Sequence, residues 1–279
     1  MNSYIHASFK GERSLFKSSN VEVIDCVFNE GESPLKESNN LVIEKSTFSW
    51  KYPLWYCHTV QCKNTTFNEM ARAGIWYTRN ARFTDCIYHA PKLFRKCRDI
   101  EIYGGDFHNG SETFWWCDGM LVENVSLKGD YVFMKSKNLS VKNFNLVGNY
   151  SFDGCEDVVI RDSVLKTKDA FWNSKNIECY NCVIEGEYFG WNSENVYLED
   201  CTIISHQGFC YMKNVKLVNC KIINTDLCFE YCEDIDATIL THVDSIKNPI
   251  SGTIRCPSVG ELILDDPDID HSRTNIIYG

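Results

Sequence analysis

Apolar and polar residues alternate along this chain in short bursts, and the bursts return at a fixed interval. With Asn20, Asn40, Thr59, Asn80, Asp99, Gly119, Asn138, Asp157, Asn176, Asn195, Asn214 and Asp234 as anchors, the steps are 20, 19, 21, 19, 20, 19, 19, 19, 19, 19 and 20 residues. One and three residues after each anchor stand pairs such as Val21/Val23, Leu41/Ile43, Ile100/Ile102 and Val215/Leu217, with Glu22, Glu101 and Lys216 between such pairs. Period two of this kind marks a strand with one buried face. The alternation resumes six and eight residues after the anchors, as in Cys26/Phe28, Cys86/Tyr88 and Cys182/Ile184. A third segment precedes the next anchor, with Leu or Phe five residues before it (Leu35, Phe94, Phe114, Phe171) and Ser, Thr or Cys two before (Ser38, Thr78, Cys117, Ser174).

Three short strands per repeat, joined by turns too short for a helix, predict an all-β fold. It is a single-stranded parallel β-helix of about twelve coils of 19–21 residues. Right-handed coiling follows the general preference of parallel crossovers. At about 4.8 Å per coil the stack is roughly 55–60 Å long, which leaves no room for a second domain. The β-helix is expected over residues 1–264, with an N-terminal cap over about 1–14, and the acidic Asp265-Asp266-Pro267-Asp268 opens a C-terminal tail over 265–279. The anchor column reads as an Asn ladder at a turn, where side-chain amides bond along the stack and tolerate left-handed backbone.

Composition narrows the function. A net charge of −10 argues against a nucleic-acid partner, which asks for a basic stripe. The first residues lack the apolar core of a signal peptide, and no stretch approaches the length of a membrane span, so a cytoplasmic location and no membrane partner are expected. Fifteen Cys, an odd number without a secretory signal, fit reduced thiols. Cys26, Cys86, Cys182, Cys201 and Cys220 fall in one repeat column and Cys57, Cys97, Cys117, Cys155 and Cys232 in another, as small buried residues would. Cys179 and Cys182 spell CxxC, but both lie on inward columns, and no second CxxC or paired His stands nearby. Neither a metal nor a cofactor is expected.

Several segments carry a resemblance: GESPLKE (31–37), WKYPLWY (50–56), ARAGIWYT (71–78), GNYSFDG (148–154), KDAFWN (168–173), GEYFGWNS (186–193), QGFCY (207–211) and KNPISG (247–252). Through them nearly the whole chain resembles an uncharacterised bacterial domain-of-unknown-function family of small β-helix proteins. The resemblance implies a right-handed parallel β-helix of the pectate-lyase-like class. It implies no reaction and no catalytic residue.

One column is not required by a plain solenoid. Four residues before the anchors stand Trp55, Trp76, Arg95, Trp115, Asp153, Trp172, Trp191 and Glu230. Because the Phe column beside them points inward, alternation turns these residues outward. Lys92, Asp169, Glu187 and Tyr188 join them from seven or eight residues before the anchors. An exposed row of Trp, acid and base suggests a surface that contacts something. Sugars stack on aromatic faces, and carboxylates, Arg and Lys hold their hydroxyls or acid groups. An oligosaccharide ligand is one reading, with Trp55, Trp76, Lys92, Arg95, Trp115, Trp172, Trp191, Tyr188 and Glu230 as binding residues.

If the protein is an enzyme, it would be of glycoside hydrolase or polysaccharide lyase type. Hydrolysis needs two carboxyls, about 5 Å apart for retention or about 6.5–9.5 Å for inversion. Asp153, Asp169 and Glu187, one coil apart in turn, are the candidates. Lyase chemistry would use Arg95 or Lys92. The other reading is a non-enzymatic scaffold that docks a protein through the same face, including a second copy of itself as a homo-oligomer.

Overall fold

The computed structural model describes residues 2–279. The chain forms two compact units, one ending at Leu146 and the other Val147–Gly279. Each is a stack of parallel strands in the register that the anchors predict. In the first unit Val21 pairs with Leu41, Leu41 with Val60, Val60 with Ala81 and Ala81 with Ile100. In the second, Val158 pairs with Ile177, Ile177 with Val196, Val196 with Val215 and Val215 with Ile235. The fold is an all-β parallel β-helix of about fifteen turns among the described residues.

The additional turns come from the ends. Asn2–Ile5, placed in a cap by the sequence reading, pairs in parallel with Ser19–Ile24. Thr274–Tyr278, placed in the tail, pairs with Gly252–Cys256. Neither segment keeps the anchor spacing, so the repeat pattern does not reach them. The third side of the coil is thinner than the alternation suggests. Its pairing shrinks to two-residue runs, Asp169–Ala170 on Tyr188 and Phe189 and these on Gln207 and Gly208, and to isolated bridges such as Trp76 with Arg95 and Arg95 with Trp115.

Left-handed corners shape each coil. Asn20, Asn40, Asn80, Asn138, Asn176, Asn195 and Asn214 all have φ between 52° and 57°, a region where Asn is enriched because its short amide bonds locally. The expected ladder is present: the amide of Asn195 donates to Asn176 and that of Asn214 to Asn195, each at 2.8 Å. A second ladder, which the sequence reading missed, lies five residues after the anchors, where Asn143 donates to Asn124 at 2.6 Å and Asn181 to Asp162 at 2.9 Å.

Inside, identical side chains stack. Phe9, Phe28, Phe48, Phe67 and Tyr88 form a continuous ring column with centroids 4.6–5.3 Å apart. The column five before the anchors is a second one, with Phe114 and Phe133 at 4.6 Å and Phe209 and Phe229 at 5.1 Å. Gly190 interrupts it. Phe189 fills the gap, 5.7 Å from Phe171 and 5.0 Å from Phe209, while a Cβ at Gly190 would meet the Met212 sulfur at 2.9 Å.

The Ser, Thr and Cys column does more than fill space. Each side chain donates to a carbonyl of the preceding coil: Thr78 to Leu54 at 2.6 Å, Ser136 to Phe114 at 2.5 Å, Ser174 to Phe152 at 2.6 Å, Cys97 to Ile75 at 3.0 Å and Cys117 to Phe94 at 3.1 Å. A short side chain with one donor keeps a buried carbonyl here from being left unpaired; Met212, two residues before Asn214, is the exception and lies over Gly190. All fifteen Cys are free and buried. Burial pushes the Cys57 thiol up to about 12, so the reactive thiolate is suppressed.

Candidate functional site

In the first unit Trp55, Trp76, Arg95 and Trp115 occupy successive coils, as the spacing requires, but they lie back along the wall. All four are half-buried rather than exposed. The Trp55 and Trp76 rings stack at 5.3 Å and 9°. The Arg95 guanidinium is 5.1 Å from the Trp76 ring and 4.1 Å from that of Trp115. Each faces its neighbours rather than solvent.

Their polar atoms are committed too. The Trp55 indole N–H donates to the Ala73 carbonyl, Trp76 to that of Lys92 at 2.8 Å, and Trp115 to that of Tyr131 at 2.5 Å. Arg95 Nε makes the equivalent bond to the Glu112 carbonyl at 3.3 Å, and its Nη2 reaches the Glu112 carboxylate at 2.5 Å. Ala73, Lys92, Glu112 and Tyr131 are all left-handed, with φ of 51–61°. The column therefore fastens strained corners of the following coil. Lys92, the fifth candidate here, pairs with Glu112 at 3.3 Å.

The second unit treats its candidates differently. Trp172 and Trp191 are 6.1 Å apart and tilted by 39°, and Trp191 continues into Tyr211 at 5.0 Å and Tyr188 at 6.4 Å. Glu230 is held by Lys247 at 3.0 Å and by the Gln207 amide at 2.8 Å. Asp153 accepts from Asn173 at 3.4 Å. Glu187 is paired with Lys168 at 2.9 Å.

Asp169, expected on the outward face, is buried, with 3% of its surface exposed. Tyr150, at the same offset in the preceding coil, is a left-handed corner with φ 57°. Asp169 instead lies in a short strand paired with Tyr188, which turns its side chain in. Its Oδ1 has no hydrogen-bond partner among the described residues; the same holds for Thr167 Oγ1 and Trp172 Nε1. Desolvation is the main cause that raises the Asp169 pKa, opposed by Lys168 and reinforced by Glu187.

The unfolded chain ionises Asp169 at the ordinary carboxylate value, so stability falls as pH rises from there through the raised folded value. Asp169→Asn removes that loss. It is expected to raise the denaturation midpoint at neutral pH and leave it nearly unchanged in acid. A midpoint that falls equally at both pH values would contradict this.

Beside Asp169 runs a groove of about 460 Å³ whose lining includes Asn149, Thr167, Lys168, Glu187, His206 and Asn224. Gly186 forms part of the wall, where a Cβ would meet the Thr167 carbonyl oxygen at 2.0 Å. The sequence reading found Glu187 but missed Thr167, Lys168 and Asn224. Lys168 and His206 share the Glu187 offset, eight residues before the anchors. No group of three or more potential metal ligands occurs among the described residues. No helix among them is long and apolar enough to cross a membrane.

The coils and this flank define a parallel β-helix with a polar groove along its side. The chain belongs to the family described as Protein of unknown function (DUF3737), whose profile matches residues 2–277. No curated protein matches it. Among solved structures it is similar to the A-module of the mannuronan C-5 epimerase AlgE4 of Azotobacter vinelandii, at 9% identity over 82% of this chain and 87% of that one, with a TM-score of 0.37. It is also similar to PfbA, a surface adhesin of Streptococcus pneumoniae, at 10% identity over 95% and 85% of the two chains, with a TM-score of 0.32. At these identities and scores the likeness carries no chemistry over to this chain.

Proposed function

We propose that this protein is a saccharide-binding β-helix and that the groove over Thr167, Lys168, Glu187 and His206 receives a hydroxyl-rich ligand. The observation that carries the reading is the polar lining of the groove, in which Lys168, Glu187, His206 and Asn224 border one space of about 460 Å³. The mutually paired Lys168 and Glu187 offer a donor and an acceptor with little net charge, and Asn224 and His206 are exposed beside them. That set suits sugar hydroxyls, which both donate and accept.

The reading is one of binding, not cleavage. Of the three carboxylates considered for catalysis, Asp169 is buried, Glu187 is tied to Lys168 and Asp153 is tied to Asn173. The test is a glycan array with the wild type and the double variant Lys168→Gln with Glu187→Gln. Because that ion pair is largely exposed, the double variant should keep its stability and weaken saccharide binding by about tenfold. No binding across the array, with an oligomeric mass in solution that shifts when the groove is altered, would instead establish the scaffold reading and a homo-oligomer.

A further inference from the structure

The strongest unassigned surface lies in the first unit, three residues before the anchors, on an outward column that the Trp spine had hidden from sequence reasoning. Tyr56, Tyr77, Lys96 and Trp116 occupy this offset in successive coils, at left-handed corners with φ of 51–60°. Tyr56 is 48% exposed and Trp116 44%. The two Tyr rings stack at 4.5 Å and 4°, and Lys96 Nζ lies 5.7 Å from the Tyr77 ring and 5.8 Å from that of Trp116. Beside them Arg79 and Arg98 complete a groove of about 570 Å³. Ring faces are largely taken up by the stack, so the groove presents ring edges, phenol hydroxyls and cations.

Its charge runs against that of the chain. Net charge overall is −10, yet this groove sets Arg79, Lys96 and Arg98 against a single carboxylate, Asp118. Asp118 is itself shared between Arg98 at 3.8 Å and Lys137 at 3.6 Å. Arg79 and Lys96 make no ion pair among the described residues. The surplus positive charge calls for an anionic ligand.

The lining selects the kind of anion. Arg79 and Arg98 are direct register partners in adjacent parallel strands, so their backbones are about 4.8 Å apart and two cations stand side by side along the stack. Tyr56 and Tyr77 line the same groove, and their phenol hydroxyls match a ligand that carries hydroxyls as well as carboxylates, as an acidic polysaccharide does and a run of Asp and Glu does not. We propose that this groove binds an acidic polysaccharide segment laid along the stacking direction, with its carboxylates on Arg79 and Arg98 and Lys96 beside them. The saccharide class rests on the functional reading above; the anionic character rests on this groove alone.

Calorimetric titration of the whole chain with an oligouronate, its carboxyl-reduced counterpart and poly-glutamate tests the proposal. The uronate should bind, and the reduced glycan should bind at least about tenfold more weakly. Arg79→Gln with Arg98→Gln should weaken uronate binding by about tenfold or more, with an unchanged circular dichroism spectrum, since both side chains are exposed. Raising salt from about 0.05 to about 0.5 M should weaken it further. Lys168→Gln with Glu187→Gln should leave uronate binding unchanged, and absence of uronate binding by the wild type with neutral-glycan binding retained would sink this site without touching the other groove. Equal binding of the reduced glycan, no effect of the Arg pair, or no uronate binding would overturn the proposal; stronger binding of poly-glutamate would reassign the groove to acidic peptides.

Discussion

Phe48→Ala is expected to lower the unfolding free energy by about 3–5 kcal/mol, read as a fall in the guanidinium midpoint. Phe48 is completely buried, and its ring sits 4.6 Å from Phe28 and 5.2 Å from Phe67 in nearly parallel stacks. Truncation removes the transfer free energy of the ring and leaves a cavity that the two neighbours cannot close, because their own coils fix them. A solenoid couples each coil mainly to the next. The cavity therefore weakens two interfaces at once. A midpoint within error of wild type would mean that the ring column does not hold the coils together.

Arg95→Ala should destabilise by about 1.5–3 kcal/mol, the range for hydrogen bonds to charged groups. Arg95 is 13% exposed at its side chain, bonds both the carbonyl and the carboxylate of Glu112, and fills the space between two indole rings. Arg95→Lys should recover little, since an ammonium neither stacks flat nor forks. Arg95→Trp should be far better tolerated. Trp55, Trp76 and Trp115 make the same N–H bond from the same offset, and Glu112 keeps Lys92 at 3.3 Å. Thermal melts of the three variants check this ordering, and a Lys variant as stable as wild type would contradict it.

The groove residues were only partly legible. Glu187 was picked out because it repeats at a fixed offset from the anchors, and Lys168 and His206 share that offset. Thr167 carries no such mark: a Thr between two Lys reads as ordinary strand surface. Its side chain is buried and its carbonyl borders the groove at Gly186, and which backbone atoms a groove exposes is a property of packing. Tyr56, Tyr77, Trp116 and Arg79 did repeat visibly, but the neighbouring Trp column drew the reading away from them.

By itself the sequence determined the coil. Stacking places identical offsets on top of one another, so a 19–21 residue period fixes register, the inward aliphatic pairs of the first strand and the Asn ladder before any coordinate is known. It could not decide which way the Trp column faces. Alternation predicts direction only while the backbone is extended, and here left-handed corners fall at Phe94 and Lys96 and at Phe114 and Trp116, on either side of Arg95 and Trp115. Each corner rotates the following side chain away from the strand pattern. The Trp and Arg residues consequently lie back against the wall while Tyr56, Lys96 and Trp116 turn out to solvent and Tyr77 stays half-buried in their stack. The same loss of a corner at Asp169, replaced by a short strand against Tyr188, drew a carboxylate into the interior. Corner or strand at these positions is settled by contacts with the coils on either side, and a local sequence pattern carries no record of them.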